Sequence, residues 1–159
     1  MTIRIRPMSA ADKPALMQIL QHTPEFKPYE VVVAEEVIDG YLQDPEGTGY
    51  HALVAEAEAE LAGYICYGQT PCTVGTWDIY WVAVSGDKRG RGIGGALTEK
   101  AEGAIRQARG RLILIETSSA PAYENTRRFY LGRGYATVAR IPDFYAPGDD
   151  LIIMQKRMG

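Results

Sequence analysis

The apolar and polar residues of this chain follow two periods, one of two residues and one close to 3.6 residues. A period of two is typical of strands, and a period near 3.6 is typical of amphipathic helices. The first pattern predicts seven strands, at residues 3–6, 50–56, 61–69, 77–84, 111–117, 135–140 and 151–156. The second predicts four helices, at residues 10–22, 29–42, 93–108 and 121–131. The order along the chain is therefore βααβββαβαββ.

This order predicts how the strands pair. Residues 50–69 form two alternating segments around a short acidic turn, which indicates a hairpin. A long helix separates the strands at 77–84 and 111–117, which indicates a parallel crossover. We therefore expect a single α+β domain over residues 1–159, with a mixed, mostly antiparallel sheet of about seven strands flanked by four helices. A doubly wound domain would alternate strand and helix from its beginning.

A glycine-rich segment between the strand at 77–84 and the helix at 93–108, here called the glycine loop (residues 88–95), carries the clearest chemical signal. Glycines remove the Cβ atoms that would keep a ligand from the backbone, and the free N–H groups of a helix start favour negative charge. Three basic side chains strengthen this preference: Lys88, Arg89 and Arg91. The segment predicts a site for a phosphate-bearing ligand, most naturally a pyrophosphate.

The glycine loop leaves two alternatives open. Its glycines also satisfy the dinucleotide-binding pattern Gly-x-Gly-x-x-Gly, and Glu116 has a plausible position for the acidic ribose ligand. A polar connection at 85–89 and the half of the chain that precedes the motif both argue against this reading. A solvated loop without a ligand is the second alternative. The phosphate-loop pattern of nucleotide hydrolases is excluded, because no Lys-Ser or Lys-Thr pair follows Gly95.

Two motifs resemble those of a known family. Arg89-x-x-Gly92-x-Gly94 resembles the Gln/Arg-x-x-Gly-x-Gly/Ala signature of the GCN5-related N-acetyltransferases (GNAT family). Residues 129–135 (FYLGRGY) resemble the aromatic-Tyr-x-x-x-Gly-Phe segment of the same family. The resemblance extends from residue 3 to about residue 156. It implies acetyl-CoA as the donor and transfer of its acetyl group to a primary amine, on a small molecule or a protein, by direct attack through a tetrahedral intermediate.

The resemblance also implies which residues contact the coenzyme. A bulge in the strand at 77–84 would direct a main-chain N–H, near Val82, toward the thioester oxygen, where one oxyanion donor is worth about 3 kcal/mol or more. Tyr123 stands where family members often have an asparagine, and Asn125 does not align with that position. The implied contacts are Val82, Ala83, Val84, Arg89, Gly90, Arg91, Gly92, Ile93, Gly94, Gly95, Tyr123, Asn125 and Tyr130.

The chemistry implied by the resemblance needs an acid and a base. Tyr130 matches the family tyrosine and would donate a proton to the leaving thiolate. The acceptor ammonium must lose a proton, for which Asp78 is the first candidate and Glu116 the second. Strand alternation would put Asp78 on the same face as Tyr80 and Val82. Each of these side chains can also be interpreted as purely structural.

Acceptor selection in this family usually belongs to the loop between the first two helices and the loop joining the last two strands. Both segments are aromatic here, and residues 142–150 carry three carboxylates. Aromatic faces and acids favour a cationic amine, although the same side chains could close the core. The candidate acceptor contacts are Phe26, Tyr29, Tyr80, Phe144 and Tyr145.

Composition narrows the functional classes. With 17 basic and 20 acidic residues the net charge is −3, which argues against a nucleic-acid partner. No apolar run approaches the roughly 20 residues of a membrane span, and no secretory signal is visible, so a cytoplasmic protein is expected. Cys66 and Cys72 lack disulfide or metal-ligand spacing, and we expect neither a metal nor a catalytic thiol. A homodimer, a non-catalytic coenzyme-A-binding sensor or interaction module, and an NAD(P)-binding protein stay open.

Overall fold

The computed structural model describes residues 2–159. All seven expected strands are present and form one sheet. The strands are β1 (Ile3–Pro7), β2 (Tyr50–Ala57), β3 (Glu60–Gln69), β4 (Thr76–Val84), β5 (Leu112–Ser118), β6 (Ala136–Ala146) and β7 (Asp149–Arg157). The α-helices are α1 (Lys13–Gln21), α2 (Pro28–Gln43), α3 (Pro45–Thr48), α4 (Ile93–Gln107) and α5 (Glu124–Gly132). Short 3-10 turns occupy Ala10–Asp12, Gly86–Lys88 and Pro121–Tyr123.

The helix count is five rather than the expected four, because Asp44 and Pro45 both end one helix and begin another. Asp44 leaves helical geometry after α2, and its side chain accepts a hydrogen bond from the Gly47 N–H at 2.9 Å. Pro45 then occupies the first position of α3, where a missing N–H costs nothing. Asp-Pro is a stop signal in sequence, and here the same pair is also a start signal.

The strand order is β1-β2-β3-β4-β5-β7-β6, and the only parallel pair in the described sheet is β4 with β5. This pair covers four registers, from Thr76↔Leu112 to Ile79↔Ile115. Beyond Ile79 and Ile115 the two strands have no mutual pairing. We call this divergence the fork. The mostly antiparallel sheet and its single parallel crossover confirm the expected architecture.

A β-bulge lies at the fork. Tyr67 of β3 pairs with Ile79, whereas the preceding residue Cys66 pairs with Trp81, so Tyr80 is an extra residue on β4. The bulge reverses the alternation of side chains along β4. Val82 therefore packs against the cluster that includes Ile79, on the face opposite Trp81. The expectation that Val82 shares a face with Asp78 and Tyr80 was wrong, because it assumed a regular strand.

Apolar side chains cover both faces of the sheet. On one face, α4 and α5 pack through residues such as Leu97, Ile105 and Tyr130. On the other face, α1 and α2 pack through Leu16 and Ile38. Both helix layers thus meet the sheet on either side of the fork, which places the glycine loop and the segment between α1 and α2 at its two mouths. Within the part of the chain described, no helix combines the length and apolar character required to cross a bilayer.

The segment at 142–150, expected as a loop, is mostly strand. β6 continues to Ala146 and β7 begins at Asp149, so only Pro147 and Gly148 connect them. The pairing skips from Ile141↔Leu151 to Ala146↔Asp149, which leaves residues 142–145 outside a regular ladder. Pro142 and the irregular pairing interrupt the alternation of polar and apolar residues, so the sequence does not predict a strand here. The candidate acceptor residues Phe144 and Tyr145 consequently lie on β6 rather than on a free loop.

Candidate active site

A cleft of about 900 Å³ lies at the fork. From the α4 and α5 face it is lined by the glycine loop and by Phe129 and Tyr130. From the α1 and α2 face it is lined by residues 23–30, which we call the 23–30 segment. The ends of β4 and β5 and the β6–β7 hairpin complete the wall. The cleft therefore runs through the sheet where β4 and β5 diverge.

The glycine loop presents main-chain donors to this cleft. Gly90 and Gly92 have φ values of 78° and 81°, a left-handed conformation that favours glycine, and no atom lies within 4 Å of a Cβ added at either. The first main-chain bond of α4 joins the Ala96 N–H to the Gly92 carbonyl at 3.0 Å. The N–H groups of residues 93–95 therefore have no partner within the helix. Open space and free donors at the start of a 15-residue helix fit an anion such as a pyrophosphate.

The basic side chains of the glycine loop are paired with carboxylates. Lys88 is only 6% exposed, and its Nζ lies 3.4 Å from carboxylate oxygens of both Glu58 and Glu60. Arg91 contacts Glu58 at 3.1 Å and lies outside the lining of the cleft. These contacts fasten the loop to the β2–β3 turn. The expectation that all three cations add to the anion site stays a prediction.

Arg89 makes a different contact, across the mouth of the cleft. Its guanidinium forms two hydrogen bonds to Glu25, at 3.0 and 3.2 Å. Arg89 belongs to the glycine loop and Glu25 to the 23–30 segment, so this ion pair joins the two walls. Both residues line the cleft. Glu25 was not expected from the sequence, because its partner is 64 residues away.

The upper part of β4 leaves main-chain groups open to the cleft. Val82, Ala83 and Val84 all line it, and the register with β5 has already ended at Ile79. Peptide groups of these residues that face β5 have no strand partner there. They can pair with the amide groups of an extended ligand, as another strand would.

Tyr130 is a buried residue whose side chain lines the cleft. The residue is 4% exposed, and its ring packs edge-on against Phe129 and Tyr135 at centroid distances of 5.0 and 5.3 Å. Its hydroxyl has no hydrogen-bond partner among residues 2–159. Burial, and secondarily the charge of Glu102, raises the pKa of Tyr130, so the phenol stays protonated. A hydroxyl that has no partner in the protein and opens to a cleft is available to a ligand.

The two candidate bases both line the cleft but differ in their surroundings. Asp78 lies on the paired part of β4 opposite Leu114, and it accepts a hydrogen bond from the Thr70 hydroxyl at 2.6 Å. Glu116 is the first residue of β5 beyond the last β4 pair, and it is exposed. Within residues 2–159 Glu116 makes neither a hydrogen bond nor an ion pair. Glu116 thus lies at the fork itself, whereas Asp78 lies within the paired part of β4, before the strands diverge.

Four of the five candidate acceptor residues line the cleft: Phe26, Tyr29, Tyr80 and Tyr145. Phe144 does not line it and is 53% exposed, with its ring edge-on to Tyr145 at 5.0 Å. Burial, then the charge of Asp78, raises the pKa of Tyr80 to about 12. The cleft therefore gathers aromatic rings from α2, β4 and β6.

Tyr123 and Asn125 also line the cleft. The Tyr123 hydroxyl donates to Glu30 at 2.7 Å and lies 3.0 Å from the main-chain oxygen of Glu25. Burial, then the hydrogen bond to Glu30, raises the pKa of Tyr123. Tyr123 thus holds the 23–30 segment against the start of α5, a position next to the expected acceptor contacts.

Sequence reasoning did not name several lining residues individually, although Asp149 belongs to the acidic segment 142–150. Glu30 and Asp149 contribute carboxylates, and Ser118 donates a hydrogen bond to Asp149. Asp149 lies at the start of a strand beside another acidic residue, and Glu30 lies beside an aromatic residue. These neighbours are a weak indication of a site for a cation. Nothing in their local sequence shows that they converge.

The potential metal ligands and the thiols of residues 2–159 do not form a second reactive site. No group of three or more His, Cys, Asp or Glu in residues 2–159 could hold a metal ion. Cys66 is buried, which raises the pKa of its thiol to about 12, and Cys72 is exposed; both are free. A thiol with a raised pKa is a poor nucleophile.

Comparison with known proteins identifies a family for the chain. Residues 48–137 match the family model described as the acetyltransferase (GNAT) domain. A search of curated proteins finds no match to the chain. The family match includes β2–β5, the glycine loop, α4 and α5.

Solved structures resemble the whole chain. A crystal structure from Desulfovibrio desulfuricans, assigned to the GNAT family of acetyltransferases, has 36% identity and a TM-score of 0.91, and the match covers 98% of this chain and 99% of that one. A ribosomal-protein-alanine N-acetyltransferase from Brucella melitensis has 24% identity and a TM-score of 0.78, covering 98% and 99%. The PaiA N-acetyltransferase from Thermoplasma acidophilum, in complex with coenzyme A, has 16% identity and a TM-score of 0.78, covering 99% and 100%. The last two likenesses concern the fold alone.

Proposed function

This chain belongs to the GNAT family of acetyltransferases, and on that premise we propose that it moves an acetyl group from acetyl-CoA to a primary amine. The observation that carries the proposal is Tyr130, a residue that is 4% exposed and whose hydroxyl lines the cleft beside the glycine loop without a hydrogen-bond partner in the described residues. A hydroxyl that is open to a cleft and not bonded to the protein is available to a ligand.

The residues present fit acetyl-CoA. The N–H groups of residues 93–95 would hold its diphosphate, and Gly90 and Gly92 leave room for close approach. The unpaired edge of β4 above Ile79 would pair with the pantetheine amides. A neighbour of the same fold was crystallised with coenzyme A, which supports this assignment. When bound, acetyl-CoA supplies the thioester whose acetyl group is transferred.

The chain's own groups then perform three tasks. A main-chain N–H near Val82, redirected by the bulge at Tyr80, stabilises the negative charge that develops on the acyl oxygen. Tyr130 donates its proton to the departing sulfur, and burial, by raising its pKa, keeps the phenol protonated near neutral pH before the reaction. Glu116 accepts the proton of the acceptor ammonium through a water molecule, because it lies at the fork without another partner. Asp78, held by Thr70, is the second choice.

The test is the variant Tyr130→Phe, which removes the hydroxyl and keeps the ring that packs against Phe129 and Tyr135. We expect turnover to fall by about 100-fold or more while the Kd for coenzyme A changes less than about twofold. Tyr135→Phe is the matched control, since its hydroxyl bonds to Glu102 and does not line the cleft. We expect it to keep most of the activity.

Product should be measured by mass spectrometry of the acetylated amine, because the exposed Cys72 would react with thiol reagents that follow coenzyme A release. Wild-type turnover in the Tyr130→Phe variant would eliminate the acid role. Failure of the native protein to acetylate any amine, despite binding coenzyme A, would make it a non-catalytic coenzyme-binding protein instead.

A further inference from the structure

Most carboxylates on the acceptor side of the cleft have no cationic partner. Glu25 forms an ion pair with Arg89, but Glu30, Asp78, Glu116 and Asp149 form none within residues 2–159. All four line the cleft. The nearby cations are Lys27, whose Nζ lies 5.8 Å from the centre of the Tyr29 ring, and Arg127, whose guanidinium donates to the main-chain oxygens of Ser118 and Ala120. This side of the cleft therefore carries a strong excess of negative charge.

Three of these carboxylates are held in place by neutral hydroxyl groups. The Tyr123 hydroxyl donates to Glu30 at 2.7 Å, and the Thr70 hydroxyl donates to Asp78 at 2.6 Å. Ser118 donates to Asp149. A hydroxyl fixes the position of a carboxylate without cancelling its charge, whereas an arginine or lysine would cancel it. The arrangement keeps a fixed negative field in a partly enclosed space, where a cation gains more than in water.

Two tyrosines add to the evidence from the carboxylates. The carboxylates share the cleft with the side chain of Tyr130, which is 4% exposed and whose hydroxyl lines the cleft with no partner among residues 2–159; this independently marks the cleft as a ligand site. Three of them also surround one ring: burial, and then the charges of Glu116, Asp149 and Glu30, raises the pKa of Tyr145. A phenol ring flanked by carboxylates receives an alkylammonium by both charge and cation–π attraction.

An acceptor with a single amine leaves some of these carboxylates without a cationic partner. The amine that attacks must be neutral, and its proton goes toward Glu116 at the fork. Glu30 and Asp149, on α2 and at the start of β7, would then stay unpaired in the liganded cleft. Closing a cleft over unpaired charges is costly, so an acceptor that brings a second cation to them binds better.

On the basis of the proposed function, we propose that the acceptor is a small molecule with at least two ammonium groups, one held by Glu30 and Asp149 while the other is acetylated at the fork. The second nitrogen, an ammonium in solution, loses one proton to Glu116 through water, and the neutral nitrogen forms the new N–C bond. The C–S bond breaks, and the sulfur receives the proton of Tyr130. The nitrogen then loses its second proton, which returns through water to the Tyr130 phenolate and leaves a neutral amide. No oxidation state changes. Acetylation removes one positive charge from the acceptor, which weakens its hold on the carboxylates and favours product release.

The test compares matched acceptors with acetyl-CoA as donor: 1,4-diaminobutane, n-butylamine and 4-amino-1-butanol, together with the three- and five-carbon diamines and a peptide with a free N-terminal alanine. Acetylated products are quantified by mass spectrometry at pH 8 and low salt. We expect kcat/KM for the preferred diamine to exceed that for the monoamine of equal length by about tenfold or more. Because the attraction is electrostatic, we also expect this ratio to fall as salt is added.

Substitutions at Glu30 and Asp149 test whether these residues cause the preference for the diamine. Glu30→Gln and Asp149→Asn keep the size of each side chain and its ability to bond to Tyr123 or Ser118, but remove the charge. We expect each to lower kcat/KM for the diamine by about tenfold, mainly through KM, and to move the diamine-to-monoamine ratio toward one. Glu36→Gln, exposed on α2 and outside the cleft, is the control and should change neither acceptor.

The outcomes separate the two proposals. Equal acetylation of diamine and monoamine, or acetylation of the peptide alone, would overturn the dicationic acceptor and leave the acetyltransferase intact. A diamine preference that survives both substitutions would also overturn it, because other groups would then provide the recognition. Absence of any acetylated product would contradict the proposed function itself.

Discussion

Asp12 shows how one side chain ties the first turn of the chain to the sheet. Its carboxylate accepts two hydrogen bonds from the Arg6 guanidinium, both 2.8 Å long, and one from the Ser9 N–H, also at 2.8 Å. Arg6 lies on β1 and bonds in addition to Glu56 on β2 at 2.7 Å. The hydrogen bonds from Arg6 lower the pKa of Asp12 below its usual value of 3.8. The network fixes the entry to α1.

The variant Asp12→Asn should therefore be less stable. We expect the free energy of unfolding to fall by about 1–3 kcal/mol at pH 7, because the partly buried guanidinium loses its charged partner. Since the folded-state pKa of Asp12 is below the unfolded value, its contribution is complete above about pH 4 and is lost as the pH falls through the folded pKa. Urea unfolding of both proteins from pH 7 to pH 3 measures this.

The difference between the two proteins should be constant at neutral pH and narrow below pH 4. Glu46→Gln, on the exposed short helix α3, serves as the control and should have no such effect. A difference that widens toward acid would contradict the role given to Asp12.

At the scale of single residues, local motifs could be found in the sequence and long-range partners could not. Gly92 and Tyr130 belong to short motifs, and the structure places both at the cleft. The roles of Glu25 and Glu30 depend on distant partners. Glu25 bonds to Arg89, 64 residues away, and Glu30 bonds to Tyr123, 93 residues away. Strand parity also failed at Val82, because one bulged residue reverses every side chain after it.

The element that connects donor and acceptor sides is the 23–30 segment. It is attached to the glycine loop through Glu25 and Arg89, and to the start of α5 through Glu30 and Tyr123. Two of the five N–H donors of Arg89 bond to Glu25, so Glu25 competes with a diphosphate for the charge and the orientation of this guanidinium. Binding of coenzyme A and the position of the 23–30 segment should therefore be linked.

This linkage gives a prediction for Glu25→Gln. Removing the carboxylate frees Arg89 and takes a negative charge from the phosphate end of the cleft, so we expect the Kd for coenzyme A to decrease severalfold at low salt. Glu124→Gln is a matched control, since Glu124 pairs with Arg128 at a similar distance, 2.9 Å, on the exposed face of α5. It should leave the Kd unchanged.

Fluorescence or calorimetric titration at two salt concentrations measures both variants. Weaker coenzyme binding after Glu25→Gln would contradict the competition and would mean that Glu25 supports the site by orienting Arg89.

At the element scale the sequence was most informative where a period ran undisturbed. All seven strands were located from alternation, and their ends differed from the structure by a few residues except in β6. β6 runs six residues beyond the expected end at 140, because Pro142 and the irregular pairing near Asp143 interrupt the pattern without ending the strand. The short helix α3 was not predicted, because the Asp44-Pro45 pair that ends α2 also begins α3.

At the scale of the whole molecule, the site is a consequence of topology. A single parallel pair of four registers joins two otherwise antiparallel halves of the sheet, and the halves separate where that pair ends. The fork could be expected from the strand order and the family resemblance. The composition of its walls could not, because residues 23–30, 78–84, 88–95, 115–130 and 145–149 meet there only after folding.

The central claim is that main-chain donors of the glycine loop and the open edge of β4 bind coenzyme A. Isothermal titration calorimetry of the native protein with coenzyme A, NAD and NADP tests it most directly. We expect one coenzyme A per chain, with a negative heat-capacity change from burial of the pantetheine arm, and no heat of binding with either dinucleotide. Saturable binding of NAD or NADP, or no binding of coenzyme A, would contradict the account.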